Sequence, residues 1–206
     1  MTAPVLDKTD YDVLNVVALK KMVAADAIAA DTGMPLPDVE PVLERLAQQG
    51  LVVEAGGAVF PTDEAEPALA AAAAQHYASV REDAGLAPLV ERFEAVNAQF
   101  LTTMSSWQQI DVGGRKVAND HTDPEYDHRV IARLEKLVAR LDPLLTALAG
   151  HDSRFGAYPR RFAAALEGID AGRHDLVSSP TADSVHTVWF EFHEDLLRTL
   201  GRERVE

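Results

Sequence analysis

The chain contains no cysteine among its 206 residues. Disulfide bonds, thiolate metal sites and cysteine nucleophiles are therefore excluded. No apolar run approaches the roughly 18 residues that a membrane-spanning helix needs, and no signal peptide is recognisable. Basic residues are few, with 19 Lys and Arg against 33 Asp and Glu and a formal net charge of −14. We expect a soluble, cytoplasmic protein that does not bind membranes and repels nucleic acid unless its basic residues are clustered.

The first part of the chain predicts three helices. Apolar residues recur every three or four positions over residues 9–22, and a shorter alanine-rich helix is expected over 24–32. A third helix is predicted from an N-cap at Asp38 to Gly50, with one apolar face.

A β-hairpin is predicted directly after the third helix. Strands over 51–53 and 58–60 flank a turn that contains Gly56-Gly57, a combination typical of hairpins. Three helices followed by a hairpin is the order of a winged helix-turn-helix domain, which we place at residues 1–66. Residues 43–52 (LERLAQQGLV) resemble the junction between recognition helix and wing in MarR-type regulators.

The remaining residues, 67–206, predict an all-helical bundle that serves dimerisation or effector binding. The strongest helix start is Asp123-Pro124-Glu125, which combines an N-cap acid with proline at the first helical position. The expected helices cover about 68–83, 88–107, 124–148 with a kink at Pro143, 154–172 and 183–200, and residues 108–123 are expected to form a polar loop.

The third predicted helix is the element that would enter the major groove of DNA. Such a helix needs Arg, Lys, Asn, Gln or Ser on its solvent face. Here three acidic residues, Asp38, Glu40 and Glu44, face solvent beside a single basic residue. The predicted wing carries no basic residue. Residues 1–66 hold four basic and twelve acidic side chains, which disfavours DNA because phosphate contacts dominate affinity. The candidates for DNA contact are Arg45, Gln48, Gln49, Lys20 and Lys21.

Four basic residues recur at steps of four, three and four in the long helix after Asp123. They share one helix face, opposite the apolar residues. This basic stripe is either a solvated surface or a patch for an acidic partner, for the DNA backbone or for the acidic first domain of a second copy. Its members are Arg129, Arg133, Lys136 and Arg140.

Two histidine-containing segments lie in the second domain. His186 and His193 share the inward face of the last helix, and buried imidazoles need polar partners, for which Asp120, Asp123 and Asp127 are candidates. Three interpretations stay open: a structural His–Asp network, a pocket for a divalent metal (zinc, nickel or manganese) or a small acid, and general acid–base catalysis. The candidate pocket residues are Asp120, His121, Asp127, His186, His193, Trp107 and Trp189.

Several segments resemble those of actinobacterial winged-helix proteins described as MarR-like transcriptional regulators. They are Trp107-Gln108, residues 119–127 (NDHTDPEYD), 130–134 (VIARL) and 186–201 (HTVWFEFHEDLLRTLG). Similar modules accompany phosphoenolpyruvate-utilising, pyruvate-phosphate-dikinase-like proteins. The helical part more loosely resembles the metal- or acid-binding domains of GntR regulators. Their aspartate is followed four residues later by a ligand histidine, whereas Asp127 is followed by Ile131.

Together these features predict a homodimeric one-component transcriptional regulator with a DNA-binding head. The alternative is an accessory protein that does not bind DNA and docks its winged helix on a protein partner, such as a phosphoenolpyruvate-utilising enzyme. Nucleophile elbows, phosphate-binding glycine loops and HExxH motifs are absent from the sequence. We therefore expect no enzymatic activity and assign no catalytic residue.

Overall fold

The computed structural model describes residues 6–202, which are mainly helical with two short antiparallel hairpins. The α-helices are α1 (Lys8–Lys20), α2 (Ala25–Thr32), α3 (Leu36–Gln48), α4 (Ala65–His76), α5 (Ala78–Arg81), α6 (Ala87–Gln108), α7 (Pro124–Ala139), α8 (Asp142–His151), α9 (Ala157–Asp170) and α10 (Val185–Leu200). The strands are β1 (Val52–Ala55), β2 (Ala58–Pro61), β3 (Gln109–Val112) and β4 (Arg115–Ala118), and 3-10 turns occur at Ser153–Gly156 and His174–Val177.

The chain forms two compact units. Of the described residues, 6–83 and 190–202 form the first unit, and 84–189 form the second. This division into compact units does not test the predicted boundary between continuous domains after residue 66, which stays a prediction. Within residues 6–202, no helix combines the length and the apolar character that crossing a bilayer requires.

The core of the first unit forms between α1 and α3. Leu14 and Val17 of α1 are fully buried, as are Val39 and Leu46 of α3. The buried residues of α3 lie at positions 39, 42, 43 and 46, the spacing of a single helix face. The opposite face of α3 is therefore exposed to solvent.

The hairpin predicted after α3 is confirmed. β1 and β2 pair with each other and are connected by Gly56 and Gly57, whose φ values of 60° and 79° suit a two-residue hairpin turn. Val59 of β2 also forms a β-bridge with Val23, with N–H···O distances of 3.1 and 2.8 Å. The segment between α1 and α2 is thereby attached to the edge of the hairpin.

The predicted start of α3 is wrong by three residues. The helix begins at Leu36, and its N-cap is Pro35 rather than Asp38. Pro37 lies in the first turn, where a missing backbone N–H breaks no helical hydrogen bond. Asp38 lies in the same turn, where its negative charge favours the helix dipole without capping it.

The helix predicted to continue to Asp83 ends earlier, at His76. Tyr77 leaves the helical conformation, with φ −114° and ψ 20°, and short α5 follows. The Tyr77 ring is buried and packs edge-on against Tyr11 at a centroid distance of 5.5 Å. We attribute the break to this tertiary contact, which helix propensity does not include.

Polar side chains join α10 to α1 within the first unit. Nδ2 of Asn15 donates to Oδ1 of Asp195 at 2.9 Å, and Oδ1 of Asn15 accepts from Arg198. Arg198 also donates to both carboxylate oxygens of Glu66, at 3.0 and 2.9 Å. The last helix is thus attached by hydrogen bonds to the first helix of the chain.

The second unit contains an aromatic pair at its core. Phe100 of α6 stacks on Trp189 of α10 with centroids 4.0 Å apart and rings 2° from parallel. The indole Nε1 of Trp189 donates to Oδ1 of Asn97 at 3.0 Å, so its polar atom is satisfied.

The long helix of the second unit starts as predicted but is interrupted. Oδ1 of Asp123 caps α7 by accepting from the backbone N of Glu125 and of Tyr126, both at 3.0 Å. Instead of kinking at Pro143, the chain ends α7 at Ala139 and begins α8 at Asp142, so Pro143 lies in a first turn.

A second hairpin contradicts both the predicted polar loop at residues 108–123 and the all-helical second domain. β3 and β4 pair around Gly113 and Gly114, whose φ values are 64° and 83°. Oδ1 of Asp111 accepts from the backbone N of Gly114 at 2.8 Å. Because the strands are almost entirely exposed, they lack the strong apolar alternation from which a strand is predicted.

Candidate functional site

A groove of about 530 Å³ lies between α3 and the first hairpin. Glu40 and Glu44 of α3 and Glu54 of β1 line it, and all three are exposed. Leu43 and Val59, both buried, contribute apolar surface. We call this surface the acidic groove.

The carboxylates of the acidic groove are not neutralised by the described part of the chain. None of the described residues that line the groove is basic. Within residues 6–202, none of its three glutamates forms a salt bridge or a hydrogen bond through its side chain. Unpaired charges of one sign around a concave surface create a strong local potential, which attracts cations and repels anions.

Arg45, the single basic residue of α3, is held by a buried acid. Its Nη2 lies 2.5 Å from Oδ1 of Asp10, and its Nη1 donates to the carbonyl oxygen of Pro41 at 3.3 Å. The side chain of Asp10 is 7% exposed and that of Arg45 is 46% exposed. The hydrogen bond and the charge of Asp10 raise the pKa of Arg45. This cation therefore stabilises the packing of α3 on α1.

The other residues predicted to contact DNA are distributed unevenly. Gln48 and Gln49 are exposed at the end of α3. Nζ of Lys20 lies 3.1 Å from Asp31 and 3.5 Å from Glu191, so its charge is compensated internally. Lys21 is 66% exposed, and its Nζ lies 3.5 Å from Glu66.

The basic stripe lies on the exposed face of α7. The guanidinium of Arg129 lies 5.8 Å from the ring centroid of Tyr126, and Nη1 of Arg140 donates to Oε1 of Gln99 at 2.7 Å. Within residues 6–202, no acidic side chain pairs with Arg133 or Lys136. The positive charge of the stripe is therefore not neutralised within the described chain.

A second candidate site surrounds His121, in the turn between β4 and α7. Nδ1 of His121 lies 3.0 Å from Oδ2 of buried Asp127, and because the carboxylate accepts, Nδ1–H donates. The side chain of His121 is 41% exposed, and its Nε2 makes no hydrogen bond within residues 6–202. Such an arrangement holds an imidazole in one orientation and leaves Nε2 available to solvent.

Asn119 organises this histidine site, and sequence reasoning did not assign it a role. Its Nδ2 donates to Oδ1 of Asp127 at 3.0 Å and to the carbonyl oxygen of Trp107 at 3.1 Å. Its Oδ1 accepts from the backbone N of His121 at 3.1 Å, which forms a side-chain turn. The signal was present in the sequence, since Asn two residues before a turn residue favours this hydrogen bond.

The backbone and ring of His121 are both constrained. Its φ is 57°, in the left-handed region that non-glycine residues seldom adopt. Its ring lies 4.4 Å from the centroid of the buried Trp107 ring, and His174 approaches the same indole at 6.4 Å.

Three further predicted pocket residues each make different contacts. His186 stacks on Phe100 at 6.1 Å, and burial lowers its pKa. Asp120 accepts from the hydroxyl and the backbone N of Thr122, which lowers the pKa of Asp120. His193 is buried in the part of α10 that belongs to the first unit. Within the described chain, no group of three or more His, Asp or Glu side chains is arranged to hold a metal ion.

Comparisons with known proteins give no relative. No family model matches the chain, and neither a curated protein nor a solved structure matches it. The resemblance to MarR-like winged-helix proteins therefore stays a prediction.

Proposed function

We propose that residues 8–61 form a winged helix-turn-helix unit that docks on a basic segment of a partner polypeptide chain. The order of α1, the bridge at Val23, α2, α3 and the first hairpin supports this assignment. In this interpretation α3 is the recognition helix and the hairpin is the wing. The acidic groove lies between these two elements, where a winged helix contacts its partner.

The observation that supports docking is the sign of the charge in the groove. Glu40, Glu44 and Glu54 surround it, and the described chain supplies no cation to pair with them. A partner with Lys or Arg side chains would gain charge-assisted hydrogen bonds there, and the complementary potentials would accelerate its association. The exposed parts of the groove therefore favour a cationic polypeptide segment.

DNA binding is the competing proposal, in which the second unit would supply dimerisation or ligand sensing. It requires cations near each contacted phosphate. Arg45 is held by Asp10 and Lys20 lies between two acids, so both would have to leave internal partners to reach DNA. Phosphates would also meet three unpaired carboxylates. These contacts disfavour DNA relative to a basic protein.

Fluorescence anisotropy on the full chain tests the two proposals together. One probe is a labelled helical peptide of Ala, Lys and Arg about 15 residues long, and the other is a labelled DNA duplex of about 20 base pairs. We expect the peptide to bind and the duplex to bind much more weakly at about 20 and 150 mM salt.

Variants in which glutamine replaces glutamate show which surface of the protein binds the peptide. E40Q/E44Q should weaken peptide binding about fivefold or more, because two charge pairs are lost. The matched control E91Q/E167Q makes the same charge change at exposed positions of α6 and α9 and should bind like the wild type. Tighter binding of the duplex than of the peptide, or equal effects of the two double variants, would contradict the docking proposal.

A further inference from the structure

The acidic groove and the basic stripe are complementary surfaces carried by one chain. We propose that the basic stripe of a second copy of this chain occupies the acidic groove. The inference rests on the proposed docking function and names the partner for it. It also gives a role to the four cations of the basic stripe, which form no ion pair within residues 6–202.

Unpaired charge on both surfaces carries this inference. The three glutamates of the groove form no ion pair within residues 6–202, and neither do Arg133 and Lys136 at the centre of the stripe. Within the same range, the outer members contact uncharged groups: the guanidinium of Arg129 lies over the ring of Tyr126, and Arg140 donates to Gln99. Each surface therefore presents charge that a contact with the other would neutralise.

The spacing of the charges also matches. Glu40 and Glu44 are four residues apart on α3, about 6 Å along the helix axis at 1.5 Å per residue. The stripe contains two cation pairs with the same separation, 129 with 133 and 136 with 140. Two helices lying side by side can therefore pair charges in register, which leaves Glu54 on the opposite wall of the groove for a third cation of the stripe.

A second copy is a chemically consistent occupant in a chain of net charge −14. Such a chain repels copies of itself at long range, so association requires a local patch of opposite sign, which the stripe supplies. Because groove and stripe are different surfaces, two copies either exchange them reciprocally in a closed dimer or add further copies in an open chain. Both forms weaken as salt screens the charge pairs.

Charge reversal tests the pairing by sedimentation velocity on the full chain. E40K/E44K reverses the charge of the groove, and R133E/K136E reverses the two central charges of the stripe, which removes its net positive charge. Matched controls E91K/E167K and R92E/R160E make the same changes of charge at exposed positions of α6 and α9. Circular dichroism establishes that each variant is folded before it is compared.

We expect the wild type to self-associate at low salt, and each reversed variant alone to show a dissociation constant raised about tenfold or more. An equimolar mixture of the two variants should associate again, because the unchanged stripe of E40K/E44K meets the unchanged groove of R133E/K136E. Both controls should associate like the wild type. A folding defect in one variant cannot produce this recovery in the mixture.

The outcomes separate this inference from the docking proposal. A wild type that stays monomeric at all accessible concentrations, or a mixture of reversed variants that does not associate, overturns the second-copy inference. If the Lys- and Arg-containing peptide still binds in a groove-dependent way, the docking function stands and its partner is another protein. If duplex DNA binds and R133E/K136E abolishes that binding, the stripe contacts DNA backbone instead and the inference is overturned.

Discussion

The guanidinium of Arg45 contacts the buried carboxylate of Asp10 at 2.5 Å and joins α3 to α1 across 35 positions of sequence. A cation in this position is part of the protein's own structure. The surface that α3 presents to a partner is consequently more acidic than its composition indicates, since its single positive charge is already paired.

Replacing Arg45 by Met should lower stability to urea, although the methionine keeps much of the apolar stem. The substitution leaves the carboxylate of Asp10 buried without this donor. Arg45→Lys should recover part of the loss, because it keeps the charge but not the planar donor geometry. Gln48→Met, at an exposed position of α3, is the control, and an equal shift of its urea midpoint would show that the Asp10 contact contributes nothing.

Replacing Asn15 by Ala should destabilise the protein by about 1–3 kcal/mol, because Asp195 and Arg198 each lose a buried hydrogen-bond partner. Asn15→Asp should also destabilise, since it keeps the acceptor for Arg198 but removes the donor to Asp195 and places a carboxylate beside it. Equilibrium urea unfolding measures both, with exposed Gln75→Ala of α4 as the control. A change for Asn15→Ala no larger than that of the control would contradict the structural role of this hydrogen bond.

His186 should make stability depend on pH in the acid range. Burial lowers the pKa of His186 in the folded state. The unfolded chain binds a proton near the ordinary pKa of about 6.5. Stability is therefore fully present above that value and is lost as the pH falls from there through the lowered folded-state pKa.

His186→Gln should flatten this acid-side loss of stability, measured as the urea midpoint at a series of pH values between about 7 and 5. His128→Gln on the exposed face of α7 serves as the matched control and should keep the wild-type slope. Identical slopes for His186→Gln and the wild type would assign the pH dependence to other groups.

Asp127 should control the order of the turn that carries His121. Asp127→Ala removes the acceptor for both His121 and Asn119, so we expect a loss of about 1–3 kcal/mol and faster amide hydrogen exchange over residues 119–123. Asp127→Asn should have a smaller effect, because its amide oxygen still accepts one hydrogen bond. Unchanged exchange in the alanine variant would show that Asp127 does not order this turn.

The fluorescence of Trp107 gives a second measurement of the same turn. The indole is buried against the His121 ring. Asp127→Ala loosens the turn and should therefore shift the emission of Trp107 to longer wavelength. The measurement uses a Trp189→Phe background to remove the other tryptophan. His128→Ala, on the exposed face of α7, should leave the emission unchanged.

Features governed by neighbouring residues were predicted well. The N-cap of α7 at Asp123 was predicted because the cap, the proline and the acid are adjacent and act through local geometry. The first hairpin followed from Gly56-Gly57 for the same reason. The second hairpin was missed although Gly113-Gly114 provides a similar turn, since its strands face solvent and carry no apolar pattern.

Site residues were named more successfully than their partners were. Sequence reasoning identified Asp127 and His121 as candidates but sought partners for His186 and His193, and it gave Asn119 no role. Asp127 lies at the start of a helix, and its hydrogen bonds depend on how the preceding turn folds back. A pattern of residue types contains no information about that path.

The amino-acid sequence by itself determined the mainly helical character, the positions of most helices, the first hairpin and the surplus of negative charge. These properties depend on periodicity, capping and composition, which act over a few residues. Only the tertiary structure decided that Asp10 pairs with Arg45, that Asp195 pairs with Asn15 and that the groove glutamates have no partner in the described chain. Such contacts join residues distant in sequence, and the packing of whole elements selects them.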